Sequence, residues 1–355
     1  MANTIKLGNG NWATKEGSLL AYNDENNNFK PLPFTTTRAS SATVVNKQGL
    51  IETVGSGIPR IDFSDDANGA LLLEPTRSNL FTYSEDFSQS YWNKNSASVT
   101  LTSKIAPNGT LNSVYNLVGT AANLWSAGTI GTQHTISFYI KSNGQGKDKF
   151  RLRLGNNTSI EYTATNEWVR YEYTETPTTS IYSITTSSAP NDEYDLLVWG
   201  GQSEVGSYAT SYIPTQGSAV TRVAETCSNE NLNVDYSGDY TLYLEHETLS
   251  LTEYNQFQFR QETSISYIFR VGNSISVGSG IYSATNTIGF NKFALSVGSD
   301  GSYSFYKNGS LLSSGSGLNA NLETIKNDAL GMSIKDIKLY NTKLSNAELQ
   351  ALTSN

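Results

Sequence analysis

The chain has 355 residues and a formal net charge of −8, with 16% charged and 11% aromatic residues. An acidic chain without a basic run excludes a general binder of nucleic acid or of anionic membranes. The single cysteine, Cys227, excludes an intrachain disulfide framework and a cysteine-based zinc cluster. No run approaches the roughly 18 apolar residues of a membrane span, and residues 1–10 lack the apolar stretch of a secretory signal. Abundant Gly, Ser, Thr and Asn, with almost no long helical pattern, predict an all-β chain of many short strands.

Residues 1–78 show turn-rich stretches at 8–10 and 24–28, and Pro31 and Pro33 interrupt what surrounds them. A hairpin is expected over 43–51 with its turn at 46–49. Extended pieces are expected at 58–63 and 71–75. No independent core is visible, so this part is expected to be an N-terminal attachment segment.

Residues 79–226 carry the clearest alternation. Ile136, Phe138 and Ile140 alternate with polar neighbours, as do Phe150, Leu152 and Leu154, and Val169, Tyr171 and Tyr173. Such a period of two marks strands with one core face and one wet face. The apolar run 196–199 ends at Gly200-Gly201, which predicts a bulge or a close approach there. Residues 226–231 are polar and are expected to be a linker.

In residues 227–355, Leu242 and Leu244 alternate with Thr241, Tyr243 and Glu245. Asn308-Gly309 is a strong two-residue hairpin signal. Ile337 and Leu339 then alternate in a closing strand, and Ser345 with Glu348 forms a capping box for a short helix, flanked by Leu344 and Leu349 at the staple positions. A closing strand followed by a brief capped helix resembles the end of a laminin-G or concanavalin-A-like lectin domain.

A second resemblance rests on three stretches. They are Leu71-Leu72-Leu73-Glu74-Pro75-Thr76-Arg77-Ser78-Asn79-Leu80, with Tyr83 to Phe87 and Trp92 after it; Val198-Trp199-Gly200-Gly201-Gln202-Ser203-Glu204 on to Thr215; and Gly217-Ser218-Ala219-Val220-Thr221-Arg222. These resemble strings in head and tail proteins of tailed bacteriophages that carry carbohydrate-binding-like sandwiches.

The resemblances imply two antiparallel β-sandwich domains (jelly-roll, concanavalin-A-like) after the N-terminal segment. Residues 79–226 would be carbohydrate-binding-like and 227–355 concanavalin-A/laminin-G-like. They imply a virion structural protein on the particle surface, a head fibre or capsid-decoration protein. A tail fibre or receptor-binding protein is the alternative, and a polysaccharide depolymerase a more distant one. The implied partners are other virion proteins of capsid or tail, bacterial or mucosal glycans, and further copies of the chain in a dimer or trimer. Nucleic acid and membrane insertion are not expected.

Glu245 and Glu247 lie two apart on one strand face, the spacing that paired glycosidase carboxylates use. Leu249 follows where a third acid would be needed, so a solvated outer face is the expectation and no catalytic residue is assigned. No cofactor is expected. A structural calcium would fall to Asp192-Glu193-Tyr194-Asp195 or to Asp235 with Asp239, neither of which has a recognised loop spacing. Glycan binding calls for an aromatic platform beside hydrogen-bonding groups. Trp125, Tyr162 and Tyr282 are the candidates, while Trp92, Trp168 and Trp199 are expected in the core.

Overall fold

The computed structural model describes residues 4–15, 18–23, 32–186, 192–230, 232, 238–251, 256–261, 267–318, 321–327 and 331–354. The fold is all-β and antiparallel, and among the described residues it holds one short helix, Asn346–Thr353. The turn-rich stretch 24–28, Pro31, Asn231 and Asp235 fall outside the described residues.

The first sandwich is built from residues 93–205. One sheet runs in order Asn93–Thr102, Val114–Ala127, Glu193–Val205, His134–Ser142 and Val169–Glu175. The long Val114–Ala127 strand then changes partner. Residues 115–120 pair with Glu193–Val205, whereas 123–127 pair with Ile181–Thr185, which continues to Lys149–Leu154. The change occurs where Ala121 takes φ 47°, opposite a register break between Asn95 and Ala97. A bulge of this kind bends a strand and lets it serve two sheets. Leu117, Leu124, Phe138, Phe150, Leu152, Ile184 and Val198 fill the space between the layers at no exposure. Trp92 and Trp199 are fully buried, as expected, but Trp168 is only half-buried. The glycine signal after 196–199 corresponds to a real irregularity. Gly200 has φ 62°, and a Cβ there would sit 3.0 Å from the Tyr139 ring.

The second sandwich draws on three parts of the chain. One sheet places Thr4–Gly8 and Ala70–Leu73 on the same side of Met332–Tyr340, followed by Tyr240–Thr248, Gly289–Val297, Tyr303–Lys307 and Ser310–Gly315. The facing sheet runs Ser18–Asn23, Leu32–Thr37, Thr226–Asn229, Thr324–Asn327, Gln256–Arg260, Tyr267–Gly272, Ser274–Val277 and Tyr282–Thr285. Their shared core holds Leu7, Phe34, Leu73, Leu244, Phe269, Phe293, Phe305 and Ile337. Strands of residues 4–37 and 61–73 therefore complete the second sandwich instead of standing ahead of it as a separate segment. Apart from the pairings within 4–37 and 61–73, their partners lie some 190 to 335 residues later, which explains why no core is visible among them locally. The polar stretch 226–231 is likewise no open linker where it is described. Thr226–Asn229 is an interior strand, and Cys227 is buried with its thiol pushed up to about 12 by desolvation.

The local turn and cap signals are realised. Ala42–Val45 and Ile51–Val54 pair around the 46–49 turn. Asn308 and Gly309, at φ 47° and 78°, form the left-handed pair that a two-residue hairpin needs. Ser345 and Glu348 form the reciprocal capping box, and Leu349 and Leu344 pack with Tyr243, Ala294 and Tyr306 on the outer face of one sheet. Replacing Ser345 by Ala is expected to cost about 1 kcal/mol, read as a lower urea midpoint, and an unchanged midpoint would show the cap to be idle.

The stretches at 71–80, 198–215 and 217–222 converge on one buried ionic cluster between the sandwiches. The fully buried Arg60 guanidinium donates to Glu74 Oε2 (2.7 Å), Glu225 Oε1 (2.8 Å), Ser211 Oγ (2.6 Å) and the Thr43 carbonyl (2.8 Å). Arg38 pairs with Glu225, and Arg222 with Glu74 at 2.9 Å. Burial alone would raise the Glu74 carboxyl, but Arg222, Arg60 and the bonds from Ser211 hold it down at about 2. Asn79 beside them is fully used. Its amide donates to the carbonyls of Gly201 and Ile213, and its oxygen accepts from Phe81 and Ser203. These residues hold the 38–79 and 201–225 segments together, so the motif is scaffold at these positions.

Candidate functional site

Alternation sorts the second half of the Val114–Ala127 strand into two sides. Ala122 and Leu124 point into the core, so Asn123 and Trp125 point away from it. Directly paired residues share a face. Trp125 pairs with Asn93 on one side and Ser183 on the other, and Ser183 pairs with Arg153. One step along, Asn123 pairs with Asn95 and Thr185, and Thr185 pairs with Arg151. The outer face thus carries two adjacent rows, Asn93–Trp125–Ser183–Arg153 and Asn95–Asn123–Thr185–Arg151.

Trp125 is the one aromatic ring in these rows, and it is half-buried. Arg151 donates to the Ser159 carbonyl at 2.8 Å and Arg153 to the Gly155 carbonyl at 2.6 Å, which holds both stems along the sheet. Among the described residues three polar atoms of the face have no hydrogen-bond partner: Asn123 Oδ1, Ser183 Oγ and Arg151 Nε. An unsatisfied buried polar atom costs about 1–3 kcal/mol. An apolar ring flanked by unmet donors and acceptors suits a ligand with a flat apolar face and a rim of hydroxyls.

The other two aromatic candidates stand elsewhere. Tyr162 packs on Phe150 and Tyr171, with ring centroids 5.6 and 5.1 Å away, and its hydroxyl donates to the Glu172 carbonyl at 2.8 Å. Tyr282 belongs to the second sandwich, edge-on to Phe305 at 5.8 Å. The three aromatic candidates are therefore not gathered into one site. The asparagines, serine and arginines around Trp125 were not singled out from sequence. Their alternation was readable, but which strands lie beside 123–127 was not.

Glu245 and Glu247 do share a strand, and both are half-buried. Glu245 accepts from the Tyr243 hydroxyl at 3.0 Å. Glu247 lines a cavity of about 210 Å³ between the sandwiches together with Asp62, Asp65 and Arg170, and burial and the Asp65 charge raise its carboxyl. Among the described residues no three His, Cys, Asp or Glu side chains gather as a metal-ligand set. Asp195 Oδ1 accepts from Asn116 and Asn143, Glu193 pairs with Lys147, and Asp239 accepts from the Ser299 amide. Among the described residues no helix is long and apolar enough to cross a membrane.

No protein-family description matches the chain, and no curated protein matches it. Three solved structures illustrate what it is similar to. The CBM2 module of the evolved Dit of Lactobacillus casei BL23 phage J-1 is 11% identical, covering 40% of this chain and 82% of that one, with a TM-score of 0.26. The CBM22-1–CBM22-2 tandem domain of Paenibacillus barcinonensis Xyn10C is 8% identical over 75% of this chain and 97% of that one, at 0.27. Trypanosoma rangeli sialidase is 10% identical over 96% of this chain, at 0.27, and the chain spans 61% of its length. At such TM-scores these likenesses carry no argument about what the chain does.

Proposed function

We propose that this chain is a structural protein of a tailed-phage particle that binds glycans through the Trp125 face of its first sandwich. In this proposal it is displayed on the particle surface as a head fibre or capsid-decoration protein, and its ligands are bacterial or mucosal glycans. The observation that carries the binding role is the placement of Trp125 beside Ser183, and next to the row of Asn123 and Arg151, whose side chains hold polar atoms without a hydrogen-bond partner among the described residues. The resemblance of the stretches at 71–92, 198–215 and 217–222 to phage head and tail proteins supports the virion role. The proposed role is one of binding. Display in several copies would turn weak single contacts into useful avidity.

A glycan array probed with the purified chain tests the binding role. Replacing Trp125 by Ala is expected to weaken capture about tenfold or more while leaving the circular dichroism spectrum as it was, because Trp125 lies on an outer face. Equal capture by the variant, or no capture by the native chain, would sink this site. Imaging of intact particles tests the virion role. Density on the head supports the proposal, density at the tail replaces it with a tail fibre, and absence from particles removes it.

A further inference from the structure

We infer a second saccharide site of different chemistry, a groove around Trp168 that takes an acidic sugar. This groove has a volume of about 410 Å³ and opens on the other sheet of the first sandwich. Its floor is Leu197, which pairs with Asn116 on one side and Lys141 on the other. Trp168, just ahead of the Val169–Glu175 strand, lines it together with Lys104, Ile105 and Asn143. The Trp168 indole donates to the Ile105 carbonyl at 3.0 Å, which fixes the ring. Ile105 is 62% exposed.

Charge selects the ligand class. The chain carries a net charge of −8, yet two lysines meet at this groove and, among the described residues, neither is in an ion pair. Asp195, on the same face as Leu197, has one carboxylate oxygen occupied by Asn116 at 2.6 Å and Asn143 at 2.8 Å, and it does not line the groove. A fixed indole face, an apolar floor and two unmatched ammonium groups suit a pyranose ring that carries a carboxylate or sulfate. Arginine, which would favour planar bidentate pairing, does not line this groove.

This site goes beyond the Trp125 face and stands or falls separately from it. The test is binding of tetragalacturonate to the full chain by calorimetry, beside its fully methyl-esterified form and a sulfated galactan tetramer. The acidic forms are expected to bind and the neutral ester to bind about tenfold or more weakly. Lys104→Glu with Lys141→Glu, at an exposed and a half-buried position, should remove that difference, and Trp168→Ala should weaken both acidic ligands. Trp125→Ala should leave all of this unchanged. Preference for the acidic forms by only one of carboxylate and sulfate would identify the group recognised and still support the site. Equal binding of ester and acid, no binding of either acidic form, or binding indifferent to the lysine changes would overturn it. If Trp168→Ala fails to fold, the lysine pair alone decides.

Discussion

Replacing Glu225 by Gln is expected to lower the unfolding free energy by about 3–5 kcal/mol, the cost of removing one partner from a buried ion pair. Glu225 accepts from both Arg38 and Arg60, and its side chain is fully shielded from water. An amide at that position turns donors toward donors and leaves two buried guanidinium groups short of compensation. The change is isosteric, so no cavity confuses the result. Urea unfolding followed by circular dichroism reads it, and Glu193→Gln serves as the control. Glu193 pairs with Lys147 at the surface, where both side chains are more than two-fifths exposed, so its loss should leave the midpoint where it was. A Glu225→Gln loss below about 1 kcal/mol, the scale of exposed pairs, would mean that the cluster is wet or that its charges relax.

The second large effect is a loss of stability on acidification through His246. This imidazole is fully buried and stacks on Phe293 with ring centroids 5.5 Å apart. Burial lowers its pKa from 6.5 to about 4, outweighing the Glu247 backbone, and the Lys307 charge acts in the same direction. The unfolded chain therefore binds a proton in a range where the folded chain does not. Its contribution is whole above about pH 6.5 and is lost as the pH falls to about 4, a change of roughly 3 kcal/mol. Other groups move in the same range with either sign. Glu74 and Asp86, both held at about 2, lose stability only below their own unfolded values. Burial raises Glu204, Glu247 and Asp336, which gain stability on acidification. The difference between the native chain and His246→Leu isolates the imidazole. That difference should change by about 3 kcal/mol between about pH 7 and pH 4, and a flat difference would show that the ring is protonated, or solvated, inside the fold.

Much of the architecture was open to inspection in the chain because it is locally encoded. Phe150, Leu152 and Leu154 alternate and lie in the core, Asn308-Gly309 turns the hairpin, and Ser345 with Glu348 caps the helix. Each of these signals needs only neighbours in sequence. Partnership between distant strands left no such trace. Leu7 has nothing beside it in sequence to announce that Ile337 will be its register partner. Cys227 looked like part of a polar linker because Thr226, Ser228 and Asn229 surround it, and only the two flanking strands make it interior. The candidate site divided along the same line. Trp125 was recognisable as an aromatic at a strand end, but Ser183 and Arg153 join it through pairings across 58 and 30 residues. Trp168 was expected in the core with Trp92 and Trp199, but its parity is opposite to that of Tyr171 and Tyr173, which pack on the core, and it is half-buried on the other side.

The interleaving of the second sandwich has a consequence for how the chain is made. Thr4–Gly8 emerges from the ribosome about 330 residues before its partner Met332–Tyr340. At about 5–20 residues per second the early strands wait roughly 20–70 s for that partner. The first sandwich, with all its strands between 93 and 205, can close during this interval. Ser18–Asn23 and Leu32–Thr37 can pair with each other, but the other side of Leu32–Thr37 stays open until Thr226–Asn229 arrives. Open strand edges are templates for pairing with another chain. Where many copies are translated together, the nascent N-terminal strands of neighbours are the natural wrong partners, and slow or crowded expression should show itself as insoluble chain before any defect appears in the folded protein.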